Sequence, residues 1–280
     1  MVPEWRDIAV FLDESPVGEQ IGRRAALLAQ RHKAHLVGVY GVPRDRTRWD
    51  GYVRGPGIKA HLKNRHLADE NKVLAAGRYF GTLSEDYAIS SEFRIVWRDG
   101  LMDDAVLRAL HCDLIVAAHP KPEGLPENWS AERLLLNTGT PVLVIADGWT
   151  GEEIGETVLI AWNRSREARR AVSDAMPFIS TARHVTILVI DDERDTDHSG
   201  EQPGINLFEH LSRHGAKVEI AQVSAAGAPI AQVIASEAVP RGANLLVLGA
   251  YSRPRTSEVL FGGTTRSLLA SVPVPLLISR

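Results

Sequence analysis

The chain has 280 residues, 44% hydrophobic and 24% charged, which suits two folded domains of roughly 140 residues each and excludes a disordered chain. Its formal net charge of -3 lacks the basic excess of a general nucleic-acid binder, and no run reaches the roughly 18 to 20 apolar residues that span a bilayer. Neither nucleic acid nor membrane is therefore an expected partner. The start Met1-Val2-Pro3-Glu4-Trp5-Arg6-Asp7 has no basic-then-apolar signal order, and Cys112 is the single cysteine. Both features point to a reducing, cytoplasmic setting in which Cys112 is a buried structural thiol.

Taken in chain order, strands are predicted over 7–12, 35–40, 90–97, 113–118 and 141–146, then over 157–162, 184–190, 216–223, 244–249 and 275–279. Their apolar runs show no alternation, the pattern of strands covered on both faces of a parallel sheet. Helical spacing of Ile21, Ala25 and Leu28 follows the first strand, and Ala171, Ala175 and Phe178 repeat it in the second half. After the second strand comes the basic, glycine-rich stretch from Arg44 to Gly57, read as a surface loop. The segment Ala60 to Leu83 reads as a long amphipathic helix. Its His61 and His66 are five apart, a spacing that favours a solvated face over a zinc pair.

The order repeats. Ile8-Ala9-Val10-Phe11-Leu12-Asp13-Glu14-Ser15 and Val158-Leu159-Ile160-Ala161-Trp162-Asn163-Arg164-Ser165 share an apolar run, a polar turn and a serine before a helix. The register continues without a gap to Leu36–Tyr40 and Thr186–Ile190, and each half closes on an apolar strand, Pro141–Ile145 or Pro275–Ser279. The reading is two tandem doubly wound α/β domains, 1–151 and 152–280, joined through the glycine-rich, charged stretch 147–156.

Ligands of open α/β sheets bind outside the carboxyl ends of the strands. In the second half this selects Ala161-Trp162-Asn163 after the first strand and the long loop Gly249-Ala250-Tyr251-Ser252-Arg253 to Gly262-Gly263-Thr264-Thr265 after the fourth. Glycines there permit close backbone approach, and the start of the last helix favours an anion such as phosphate. The competing structural reading is that Gly249 only ends a strand, while Gly262 and Gly263 make a turn capped by Thr264 or Thr265. Tyr251, Arg253 and Arg255 offer stacking and phosphate-pairing groups, or simply solvated surface. In the first half the corresponding stretch is Ala118-His119-Pro120-Lys121-Pro122-Glu123-Gly124, whose prolines lack the N–H donors of a phosphate cradle.

Gly249-Ala250-Tyr251-Ser252, nine residues, then Gly262-Gly263-Thr264 resembles the G-x-x-G-x9-G-[ST] carboxyl end of the universal stress proteins. Val158 to Ala168 resembles the opening of the second domain in their tandem members. The resemblance implies five-stranded sheets of order 3-2-1-4-5 and an adenine nucleotide (ATP, ADP or AMP) or another small ligand. It places Asn163 at the acidic position after the first strand, Val189 at the backbone contact after the second, and the Gly249 loop on the phosphates. Three residues depart from the pattern: Asn163 replaces aspartate, Ser252 the second glycine, and Gly263 the serine or threonine. The resemblance further implies that the closing strands of the two halves, 142–145 and 276–278, pair within one chain as a pseudo-dimer. Homo-oligomers remain open. No cofactor, metal or catalytic residue is required by this reading. The alternatives are a ligand-free scaffold for protein partners, and a weak nucleotide hydrolase of the wider adenine-nucleotide superfamily, whose serine and glycine loop is missing after both first strands.

Overall fold

The computed structural model describes residues 4–13, 15–43, 57–98, 107, 110–122, 125, 129–146, 148–191, 203–250 and 263–280, with backbone alone at 42–43, 57–69 and 97–98. It divides into two compact units, Trp5–Thr138 and Gly139–Arg280. Every strand read from the sequence is present.

In the first unit, β1 (Asp7–Leu12), α1 (Pro16–His32) and β2 (His35–Pro43) are followed by α2 (Gly57–Asp86), β3 (Ser91–Arg98), β4 (Leu114–His119) and α3 (Ala131–Thr138). Its strands lie in the order β3-β2-β1-β4, all parallel. The apolar runs behave as buried strands: Ile8, Ala9 and Val10 are fully covered, as are Leu114, Ile115 and Val116. Gly38 lets α2 approach the sheet, since a Cβ there would lie 2.6 Å from the ring of Phe80. The backbone of α2 carries His61 and His66, but their side chains lie outside the described residues, as does the loop 44–56. Cys112 is partly exposed rather than buried, because it sits in the connector ahead of β4 and not in the strand.

The second unit contains β5 (Val142–Ala146), β6 (Thr157–Trp162), α4 (Arg166–Asp174), α5 (Met176–Ile179), β7 (His184–Asp191), α6 (Ile205–Arg213) and β8 (Val218–Ser224). It ends with α7 (Ile230–Ala238), β9 (Leu245–Gly249), α8 (Gly263–Ala270) and β10 (Leu276–Ser279). The parallel order β10-β9-β6-β7-β8 is the 3-2-1-4-5 arrangement expected when read from β8. Against β10 runs β5, antiparallel, with Leu276 opposite Val144, Leu277 opposite Leu143 and Ile278 opposite Val142. The closing strand of the first sequence repeat thus belongs to the compact unit of the second.

The two halves begin in the same way. Ser15 and Ser165 cap α1 and α4, each hydroxyl accepting from the backbone N–H three residues on, at Gly18 and Ala168, at 3.1 Å in both cases. The gapless repeat then slips by one. Asp7 pairs with His35 in the first unit, but Thr157 pairs with His184 in the second, so the connection is one residue shorter there.

Candidate functional site

The ladder of the second unit brings its strand ends to one edge. Trp162 is paired with Val189 across β6 and β7, Ala161 with Leu248 across β6 and β9, and Gly249 with Ser279 across β9 and β10. Ala161 and Val189 are buried, Trp162 partly exposed, and Asn163, just beyond the strand, is exposed. Gly263 opens α8 with no other described residue within 4 Å of the place its Cβ would occupy; Thr264 is partly exposed and Thr265 buried. Tyr251, Ser252, Arg253 and Gly262 lie outside the described residues.

The turn after β6 is held by Asn163, whose Oδ1 accepts from the backbone N–H of Ser165 at 3.2 Å. Between them Arg164 takes the left-handed conformation, φ 60°, unusual for a residue with a Cβ. Asp13 makes the equivalent contact in the first unit, to the N–H of Ser15 at 3.1 Å and its hydroxyl at 2.6 Å. An amide oxygen and a carboxylate oxygen serve this turn equally, which explains how aspartate becomes Asn163 without loss of local geometry.

Gly249 has a packing reason to be glycine. A Cβ at this position would lie 2.2 Å from the backbone nitrogen of Ala168 and 2.4 Å from the carbonyl carbon of Glu167. The start of α4 therefore rests on bare backbone at the end of β9. The adjacent Ser279 is 1% exposed, and its hydroxyl has no hydrogen-bond partner among the described residues.

Sequence reasoning missed Glu167. It is buried at the second position of α4, while its partner Arg166 is almost fully exposed, with Nε 2.5 Å from the carboxylate. Desolvation raises the carboxyl pKa, yet the bond from Arg166, aided by the backbone and the Ser165 hydroxyl, outweighs it and leaves the pKa lowered. Glu167 is thus an anion at a helix start, a place that favours negative charge. The signal was available: Glu167 stands four residues before the buried Ala171 and next to the buried Ala168, on the apolar stripe.

In the first unit the corresponding edge differs. His119, half-buried at the end of β4, has its pKa lowered by desolvation. Lys121 turns back on its own segment, where its Nζ donates to the Leu125 carbonyl at 2.7 Å and the Pro122 carbonyl at 3.2 Å. Trp129 is buried against Phe11. Among the described residues no group of three or more metal-ligating side chains occurs, and no helix is long and apolar enough to cross a membrane.

The universal stress protein family model matches residues 156–280. No curated protein matches the sequence closely enough to count as a relative. A universal stress protein structure from Archaeoglobus fulgidus DSM 4304 is similar over 98% of this chain and 96% of its own, with TM-score 0.70 at 14% identity. A structure from Pseudomonas aeruginosa UCBPP-PA14 assigned to the same family covers 98% of this chain and 93% of its own, with TM-score 0.58 and 20% identity. A functionally unknown protein from Pseudomonas aeruginosa PAO1 covers 98% and 92%, with TM-score 0.55 and 20% identity. At such identities the structural likeness speaks for the fold, and the family model speaks for the second half. The chain carries a universal stress protein domain at 156–280, and its first half is built on the same fold.

Proposed function

We propose that this is a stress-response regulatory protein whose second half binds an adenine nucleotide, and that it acts by binding rather than by catalysis. The observation that carries the reading is the gathering of Trp162, Val189 and Gly249 at the carboxyl ends of adjacent parallel strands, with the Asn163 turn beside them. Such an edge is where doubly wound sheets hold ligands. Asn163 presents an amide to a ribose hydroxyl, and the backbone at Val189 and Trp162 meets the base. Gly263, Thr264 and Thr265 offer N–H and hydroxyl donors to phosphate at the start of α8. Tyr251, Ser252, Arg253 and Gly262 complete this reading by their place in the sequence.

Mass spectrometry of small molecules released by denaturing freshly purified protein, with calorimetric titration of ATP into the stripped sample, tests the proposal. Near-stoichiometric adenine nucleotide and micromolar binding support it. Absence of both sinks it and favours the scaffold reading, in which the edges serve protein partners.

A further inference from the structure

The first unit buries an aromatic pair near the carboxyl end of β1. Trp129, in the segment between β4 and α3, is 1% exposed. Its indole lies against the ring of Phe11, one residue from the end of β1, with centroids 4.8 Å apart at 57°. Phe11 is 3% exposed, and Leu125 and Pro122 of the same segment are also buried. The Lys121 ammonium is held by two carbonyls of that segment. The Trp129 Nε1 has no hydrogen-bond partner among the described residues, and the indole packs on the Phe11 ring.

The strand position of Phe11 belongs to Ala161 in the second unit: Phe11 pairs with Val39 in the ladder as Ala161 pairs with Leu188. A phenyl ring in one half is a methyl group in the other. We infer that Trp129 and Phe11 are a built-in occupant of the first half's ligand position, so that the chain takes one nucleotide and the contrast between Phe11 and Ala161 decides which half takes it. The ligand and its position at this edge rest on the proposed function; the packing of Trp129 on Phe11 does not. A ligand entering there would have to drive two aromatic rings from near-complete burial into water.

Two measurements separate the ideas. ATP titrated into the full chain should saturate at one equivalent, and Ala161→Phe should lower its affinity at least tenfold. Chemical rescue tests the occupant without using the second half: Trp129→Gly should lower the thermal midpoint by roughly 10 °C. Free indole should restore much of that shift and leave the wild type unchanged, as an enclosed ring-sized cavity predicts. If Trp129→Gly does not fold, Trp129→Leu with benzene reads the same space. Two equivalents of ATP on the wild type, or no rescue by either ring, would overturn the inference. Rescue without any ATP binding would uphold the occupant while removing the nucleotide reading.

Discussion

The bare backbone of Gly249 lies so close to Ala168 that a Cβ would come within 2.2 Å of its nitrogen. Neither side can yield as a flexible side chain would, because both are backbone. Gly249→Ala is therefore expected to destabilise the second unit by about 1–3 kcal/mol, the usual cost of overpacking. Urea unfolding followed by circular dichroism measures it, and an unchanged midpoint would contradict the packing account.

Gly263→Ala is the matched contrast. With no other described residue within 4 Å of its missing Cβ, this variant should keep or gain stability, by up to about 1 kcal/mol from helix propensity. Any loss of ATP affinity in it then reports backbone approach by the ligand rather than a disturbed fold. Unfolding and calorimetry on one preparation decide this.

Asn163→Asp should leave the fold intact, since Asp13 holds the same turn with a carboxylate oxygen. The added charge at the start of α4 favours the helix by about 0.3–1 kcal/mol, set against repulsion from the nearby acid Glu167. Asn163→Ala and Ser165→Ala each remove a local bond and should cost about 1 kcal/mol. A thermal midpoint for Asn163→Asp as low as for Asn163→Ala would show that the turn does not depend on this oxygen.

Arg166→Ala looks harmless from the exposure of Arg166 alone, yet it leaves the buried Glu167 carboxylate without its guanidinium. A loss of about 1–2 kcal/mol at neutral pH is expected. Arg166→Ala/Glu167→Gln should recover most of it, because the uncompensated charge goes with the second change. No recovery in the double variant would place the damage elsewhere.

At the opposite, amino-terminal side of β7, Glu219 accepts from Thr186 at 3.0 Å and pairs with His184 at 3.1 Å. The bond from His184 is the main cause of its lowered pKa, with smaller help from Thr186 and Arg241 and some opposition from desolvation. A carboxyl whose pKa is lowered by folding stabilises the native state above its unfolded pKa, and that contribution disappears as pH falls through the folded value. Glu219→Gln should thus lower stability at pH 6 and have little effect well below pH 4. Because the pair is about half exposed, the effect is small and shrinks in high salt. A difference that persists in acid would exclude this electrostatic origin.

The strands were legible because a parallel strand covered on both faces has to be apolar throughout, as Leu114–Val116 and Leu245–Val247 are. Helix starts were legible at Ser15 and Ser165, where capping is a local matter. The break between α4 and α5 was not foreseen, although Pro177 marks it: the spacing of Ala171, Ala175 and Phe178 continues across the interruption. At the site, the Asn163 turn follows from adjacent residues, whereas the packing of Gly249 on α4 and of Trp129 on Phe11 joins segments far apart in the chain. Periodicity carries no information on such distances. For the same reason a motif glycine suggested room for a ligand before the structure gave it a neighbour.

The antiparallel match of Leu143 with Leu277 sets a timetable for synthesis. Residues 142–146 leave the ribosome well before their partner strand, Leu276–Ser279. Until then β5 is an apolar strand with an open edge, the kind of segment that pairs with strangers. A variant without Leu276–Ser279 would leave that strand waiting indefinitely, so β10 governs the solubility of a segment translated much earlier.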